Sequence, residues 1–156
     1  MFGLFKSEPF IDKTLGEFKR KGQHWIGSVE VSPRGVMELR LAGNRKAPDV
    51  SALSLARELP TQYSSQIAQI ETALYEHFAP YADANAMGEI ADLEEPFPNI
   101  GDAKQVWPYV YPSHISIEPM QGVPTVEIAY RVGWDDEHTL GARLQNWRFL
   151  ELCGSV

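Results

Sequence analysis

A single cysteine, Cys153, is all the thiol chemistry in this chain of 156 residues. That excludes an internal disulfide and suits a reducing compartment. Lying in a strand pattern near the C-terminus, Cys153 reads as a packing residue rather than a nucleophile. No apolar run reaches the ~18 residues of a membrane span. Met1 to Phe10 has one basic residue and lacks the apolar stretch and small-residue site of a secretory leader. The expectation is a cytoplasmic protein with no membrane partner. Phosphate-cradling GxGxxG and GxxxxGK[ST] loops are missing, as are the GxSxG elbow, the HExxH helix and the oxygen-alternating calcium loop. No cofactor and no metal site are therefore expected.

Positive charge is also missing from the middle of the chain. From Glu58 to Ala103 there are nine acids and no Lys or Arg. Residues 1–46 hold nine Lys/Arg against five acids, a net of +4. Residues 47–156 hold five against sixteen, a net of −11, which sums to the overall −7. A nucleic-acid surface needs clustered cations, and the acidic remainder would repel phosphate, so no nucleic-acid partner is expected. A basic protein partner fits this charge and would be steered toward it. A homodimer pairing the cationic N-terminal part with the anionic remainder fits as well.

What is present organises itself around one helix. Tyr63, Ile67, Ile70, Leu74 and Phe78 recur at helical spacing, and Leu53, Ala56 and Leu59 extend the stripe backwards. Gln62, Ser65, Gln66, Gln69, Thr72 and Glu76 fall opposite, on the face expected to be solvated. Asp49 is the expected N-cap, with Ser51 as the alternative. Pro60 lacks an N–H and crowds the carbonyl of Ala56, which predicts a kink or a split into helices 50–59 and 61–80.

Short alternating runs flank the helix. Leu15–Arg20, His24–Val31 and Val36–Leu41 read as strands before it, the last two placing Trp25, Val29, Val31, Met37, Leu39 and Leu41 inward. Ser113–Pro119, Thr125–Val132, Thr139–Leu144 and Trp147–Leu152 read as strands after it. The turn Ser32-Pro33-Arg34-Gly35 and the other short connections predict antiparallel neighbours. The expected fold is a single α+β domain over residues 1–156. It has a mostly antiparallel sheet, three N-terminal strands and four C-terminal strands, with a kinked helix on one face. Whether the two strand groups form one sheet or two stays open. Phe2, Leu4, Phe5, Phe10 and Ile11 form a lead-in able to tuck onto the core.

Two stretches attract functional attention. Residues 83–113 are irregular, with four prolines, six acids (Asp92, Glu94 and Glu95 among them) and one lysine, Lys104. They end in the aromatic cluster Trp107, Tyr109 and Tyr111. Long loops of this kind carry function or cap a core. The second stretch is Trp134-Asp135-Asp136-Glu137-His138. Carboxylates beside an imidazole suit cation binding or acid–base work. They equally suit a polar turn in which Asp oxygens take nearby N–H groups.

Leu15-Gly16, Trp25-Ile26-Gly27 and Trp134-Asp135-Asp136-Glu137-His138-Thr139-Leu140-Gly141, in that order around a central helix, resemble small bacterial proteins grouped as domains of unknown function. The likeness spans most of residues 10–154. It implies no established catalytic residues. Some relatives of this small acidic kind have been proposed as immunity proteins against toxins. The sequence reading is thus a non-enzymatic binding protein, of immunity type, that docks a basic protein. Its candidate surface comprises Glu94, Glu95, Trp107, Tyr109, Tyr111, Trp134, Asp135, Asp136, Glu137 and His138. The alternative is a metal-dependent hydrolase or other enzyme centred on residues 135–138.

Overall fold

The computed structural model describes residues 6–90, 93–154 and 156. Phe2, Leu4, Phe5 and Asp92 lie outside the described residues. The strands are β1 (Phe10–Asp12), β2 (Gly16–Lys21), β3 (His24–Val31), β4 (Gly35–Ala42), β5 (Val110–Met120), β6 (Val123–Val132), β7 (Asp135–Gln145) and β8 (Arg148–Cys153). The helix α1 (Val50–Ala86) lies between β4 and β5. All eight strands join in one sheet, in chain order from β1 to β8.

This overturns the expected layout. The sheet is mixed, with four strands on each side of the helix instead of three and four. β1–β4 form one antiparallel run and β5–β8 another, and the two meet where β4 pairs parallel to β5. The physical reason is the helix. A chain that leaves β4, travels along a helix and returns beside the same strand re-enters in the same direction, as in any strand–helix–strand crossover. β1 escaped the reading because three residues are too few to show a period.

Of the two forms expected of the helix, the split at Pro60 is not the one found. Pro60 and Pro80 both lie inside one continuous α1, which is not split at residue 60. Both prolines are exposed. A defect on the solvent side falls where a helix wrapped on a core already opens its hydrogen bonds, so the turn continues through it. Asp49 is the N-cap by position, though its side chain makes no capping hydrogen bond.

The core lies between α1 and the sheet. Leu59, Tyr63, Ile70 and Leu74 are buried from the helix, facing Leu39, Ile115, Ile128 and Tyr130 from the strands. The helix packs against β3, β4, β5, β6 and β8, and so reaches from near one margin of the sheet to the other. The strand faces fall as their alternation predicts: Met37, Leu39 and Leu41 are buried, as are Val126, Ile128 and Tyr130. One helical position is displaced. Gln66, expected in solvent, is buried, and its Nε2 donates to the Trp147 carbonyl at 2.9 Å, while Ile67 is only half-buried. The buried Tyr63 and Tyr130 hydroxyls satisfy each other at 2.9 Å. Asp12 of β1 is held by the Arg57 guanidinium and by the N–H groups of Thr14 and Leu15. Those contacts bring its carboxyl down to about 2 against the opposing effect of burial.

Candidate functional site: an acid-rimmed groove at the β6–β7 turn

β6 and β7 are joined by the two residues Gly133 and Trp134, because Val132 pairs with Asp135. The next pair is Arg131 with Thr139. Asp136, Glu137 and His138 are therefore left without partners on β6 and bulge from the ladder, as bulges commonly do beside sites. The turn is tied to the start of β5, where the Gly133 N–H donates to the Tyr109 carbonyl at 2.8 Å. The chain returning from α1 crosses the same end of the sheet. There the Glu94 N–H reaches the Asp136 carboxylate at 3.4 Å.

Between these segments lies a groove of about 700 Å³. Glu94–Asn99 form one wall, and Asp135–Thr139 with Arg131–Gly133 another. Pro108, Tyr109 and Tyr111 complete it. Its lining includes five carboxylates, from Glu94, Glu95, Asp135, Asp136 and Glu137, against one guanidinium, from Arg131. Phe97 and the prolines supply flat apolar surface between the charges.

Asp135 is the member of this cluster turned inward, with a side chain only 6% exposed. It accepts from the Tyr81 hydroxyl at 2.8 Å, from His138 Nδ1 at 2.9 Å, and from the backbone N–H groups of Glu137 and His138. Burial pushes its carboxyl up. The hydrogen bonds from Tyr81, His138 and the backbone outweigh that and hold it below the ordinary carboxylate range. Since an ionised carboxylate only accepts, the proton on Nδ1 is His138's, and Nε2 is left for the groove.

Below Asp135 the network continues into α1. His77 and Tyr81, one turn apart, stack at 5.3 Å. The Trp134 indole N–H donates to His77 Nδ1 at 3.0 Å. An imidazole accepting there carries its proton on Nε2 and is neutral. Burial lowers the His77 pKa, and the nearby His138 adds to that against the pull of Asp135. Burial likewise raises the Tyr81 hydroxyl, with the Asp135 carboxylate reinforcing it.

The structure thus gathers Glu94, Glu95, Tyr109, Tyr111, Asp135, Asp136, Glu137 and His138 around one cavity. Two sequence candidates lie outside its lining. Trp134 is a core residue, 1% exposed, edge-on to Phe78 at 5.3 Å. Trp107 stacks under the Arg34 guanidinium at 3.7 Å and donates its indole N–H to Glu71. The sequence reading missed Phe97, Arg131, Tyr81 and His77. The last two carried a signal, a polar aromatic pair at i, i+4 on the edge of the apolar stripe.

Among the described residues, no three His, Cys, Asp or Glu side chains are gathered so as to hold a metal ion. Asp136 and Glu137 point outward while Asp135 points in, so consecutive acids do not converge. Among the described residues, no helix is long and apolar enough to cross a membrane.

A mixed eight-stranded sheet crossed by one helix, with a groove at one turn, defines an α+β domain. The chain belongs to the family described as a domain of unknown function, DUF6985, whose model matches residues 14–155. Comparison with curated proteins and with solved structures finds no match.

Proposed function

We propose that this chain is a binding protein whose groove at the β6–β7 turn takes a basic segment of another protein. The observation that carries the reading is the lining itself: five carboxylates and one arginine around tyrosines, a phenylalanine and prolines. Acidic walls steer and hold cations, and aromatic and proline surface gives anchor area at low entropic cost. The concentration of negative charge in residues 47–156 extends the same field beyond the groove. The resemblance to immunity-type bacterial families would make the partner a basic toxin, the binding inhibitory and the compartment the cytoplasm.

A polybasic peptide is the direct probe. Amide chemical shifts should move at residues 94–99, 109–111 and 131–139, and the affinity should fall steeply as salt is added. Replacing Glu94, Glu95 and Asp136 together by glutamine should abolish the shifts. Shifts confined to residues 15–41, or binding indifferent to salt, would refute the proposal.

A further inference from the structure

We infer that the groove reads an arginine side chain, and that His138, held by Asp135, is the residue that makes this choice. The inference rests on the basic-segment reading above and specifies its chemistry.

A buried carboxylate is an expensive way to hold an exposed imidazole, so what it fixes matters. Asp135 accepts the Nδ1–H hydrogen bond and those of the backbone N–H groups of Glu137 and His138. The ring is thereby fixed in one tautomer, on a side chain still 45% exposed in the groove wall. Among the described residues, Nε2 has no hydrogen-bond partner within the protein. In its neutral form, His138 would therefore offer a lone pair at a fixed position.

The rest of the lining suits a planar, many-handed cation. Carboxylates stand on two walls, Glu94 and Glu95 on one, Asp136 and Glu137 on the other. Tyr109 and Tyr111 add aromatic surface to the lining. A guanidinium can stack on a ring and still donate in its plane to acceptors on both walls, whereas an ammonium is a point charge with three donors. The 3-10 turn Trp107–Tyr109, next to the groove, already has one guanidinium stacked on a ring, Arg34 on Trp107, although Arg34 Nε finds no acceptor there among the described residues.

The same geometry makes the contact proton-dependent. Protonated His138 would turn an N–H toward the guanidinium and add a like charge. The charged and titratable groups around it are Asp135, Asp136 and Glu137 on β7, Arg131 on β6, Glu94 and Glu95 on the loop, Tyr109 and Tyr111 at β5, and His77 and Tyr81 on α1. Of these, His138 is the imidazole that lines the groove.

The test uses the full chain and a Gly/Ser peptide bearing arginines, with lysine and citrulline counterparts. Calorimetry at about pH 8 should show the arginine peptide bound about tenfold more tightly than the lysine one, and citrulline unbound. Lowering the pH to about 5.5 should weaken the arginine peptide by a similar factor. His138→Ala should lose about tenfold at the higher pH. His138→Gln places an acceptor near the position of Nε2; it should keep the affinity and lose the pH dependence. Thermal unfolding of both variants checks that they are folded. Equal binding of arginine and lysine peptides, or an unchanged pH response in His138→Gln, would overturn this inference and leave the basic-segment proposal standing. Binding by none of the cationic peptides would overturn both.

Discussion

Replacing Asp135 by asparagine tests whether the inward carboxylate is the keystone of the groove wall. The side chain keeps its shape, and one oxygen can still accept from the N–H groups of Glu137 and His138. What changes is the charge, and with it the bonds from Tyr81 at 2.8 Å and His138 at 2.9 Å. A hydrogen bond to an ionised group contributes about 1.5–3 kcal/mol and a neutral one about 0.5–1.5. Weakening two of them costs about 2 kcal/mol, partly offset because no charge is then buried. For a chain of this length that lowers the melting temperature by about 4–8 °C. Urea unfolding followed by tryptophan fluorescence gives the free energy directly. The pH dependence supplies the stricter check. A carboxyl whose pKa is lowered in the folded state contributes stability above its unfolded value, and that stability is lost as pH falls through its folded one. The gap between wild type and Asp135→Asn should therefore be full at neutral pH and close as the medium is acidified below about pH 4. A loss under about 0.5 kcal/mol at neutral pH, or a gap that persists in acid, would refute the account.

Four further outcomes follow from the packing of the sheet and the Asp12–Arg57 contact. Tyr63→Phe strands the buried Tyr130 hydroxyl and should cost about 1–3 kcal/mol, whereas Tyr63→Phe with Tyr130→Phe should recover much of it in chemical denaturation. Gly27→Ala would place a methyl 2.5 Å from the buried Phe18 ring, so about 1–3 kcal/mol of stability should be lost. Gly141→Ala meets Glu127 Cγ at 2.9 Å, on a side chain that Arg143 holds at 2.7 Å, and should likewise lose stability in thermal melts. Asp12→Asn should cost about 1 kcal/mol at neutral pH, small because Arg57 is partly solvated, and little by about pH 2, where the native carboxyl is itself half protonated.

How far the sequence could be read depended on whether a residue's surroundings are local. Met37, Leu39 and Leu41 alternate along one strand, and their burial needed nothing more than the pleat. Gln66, three residues after Tyr63 and four before Ile70, has the phase of the buried stripe but a polar side chain that suggested solvent; the Trp147 carbonyl, 81 residues later, gives its buried amide an acceptor. The parallel join of β4 to β5 was implicit in a helix between two strands, but short turns elsewhere suggested antiparallel order throughout. At the groove, the acids and tyrosines were visible as types. That Asp135 turns in while Asp136 and Glu137 turn out depends on the Val132–Asp135 pairing and the bulge it forces. Trp134 and Trp107 show the converse. Aromatics in loops suit either an exposed surface or a cap on the core, and each of these is engaged inward by a distant partner, His77 for one and Arg34 with Glu71 for the other.

The single parallel seam has a consequence during synthesis. β1–β4 can zip as soon as they emerge, but the free side of β4 must wait for β5, after residues 43–109 have been made. At about 5–20 residues per second, that leaves an open hydrogen-bonding edge for about 3–13 s on each nascent chain. Glu38 and Arg40, charged and on the strand that waits, are the sort of residue that keeps such an edge from seizing a neighbour on the same message.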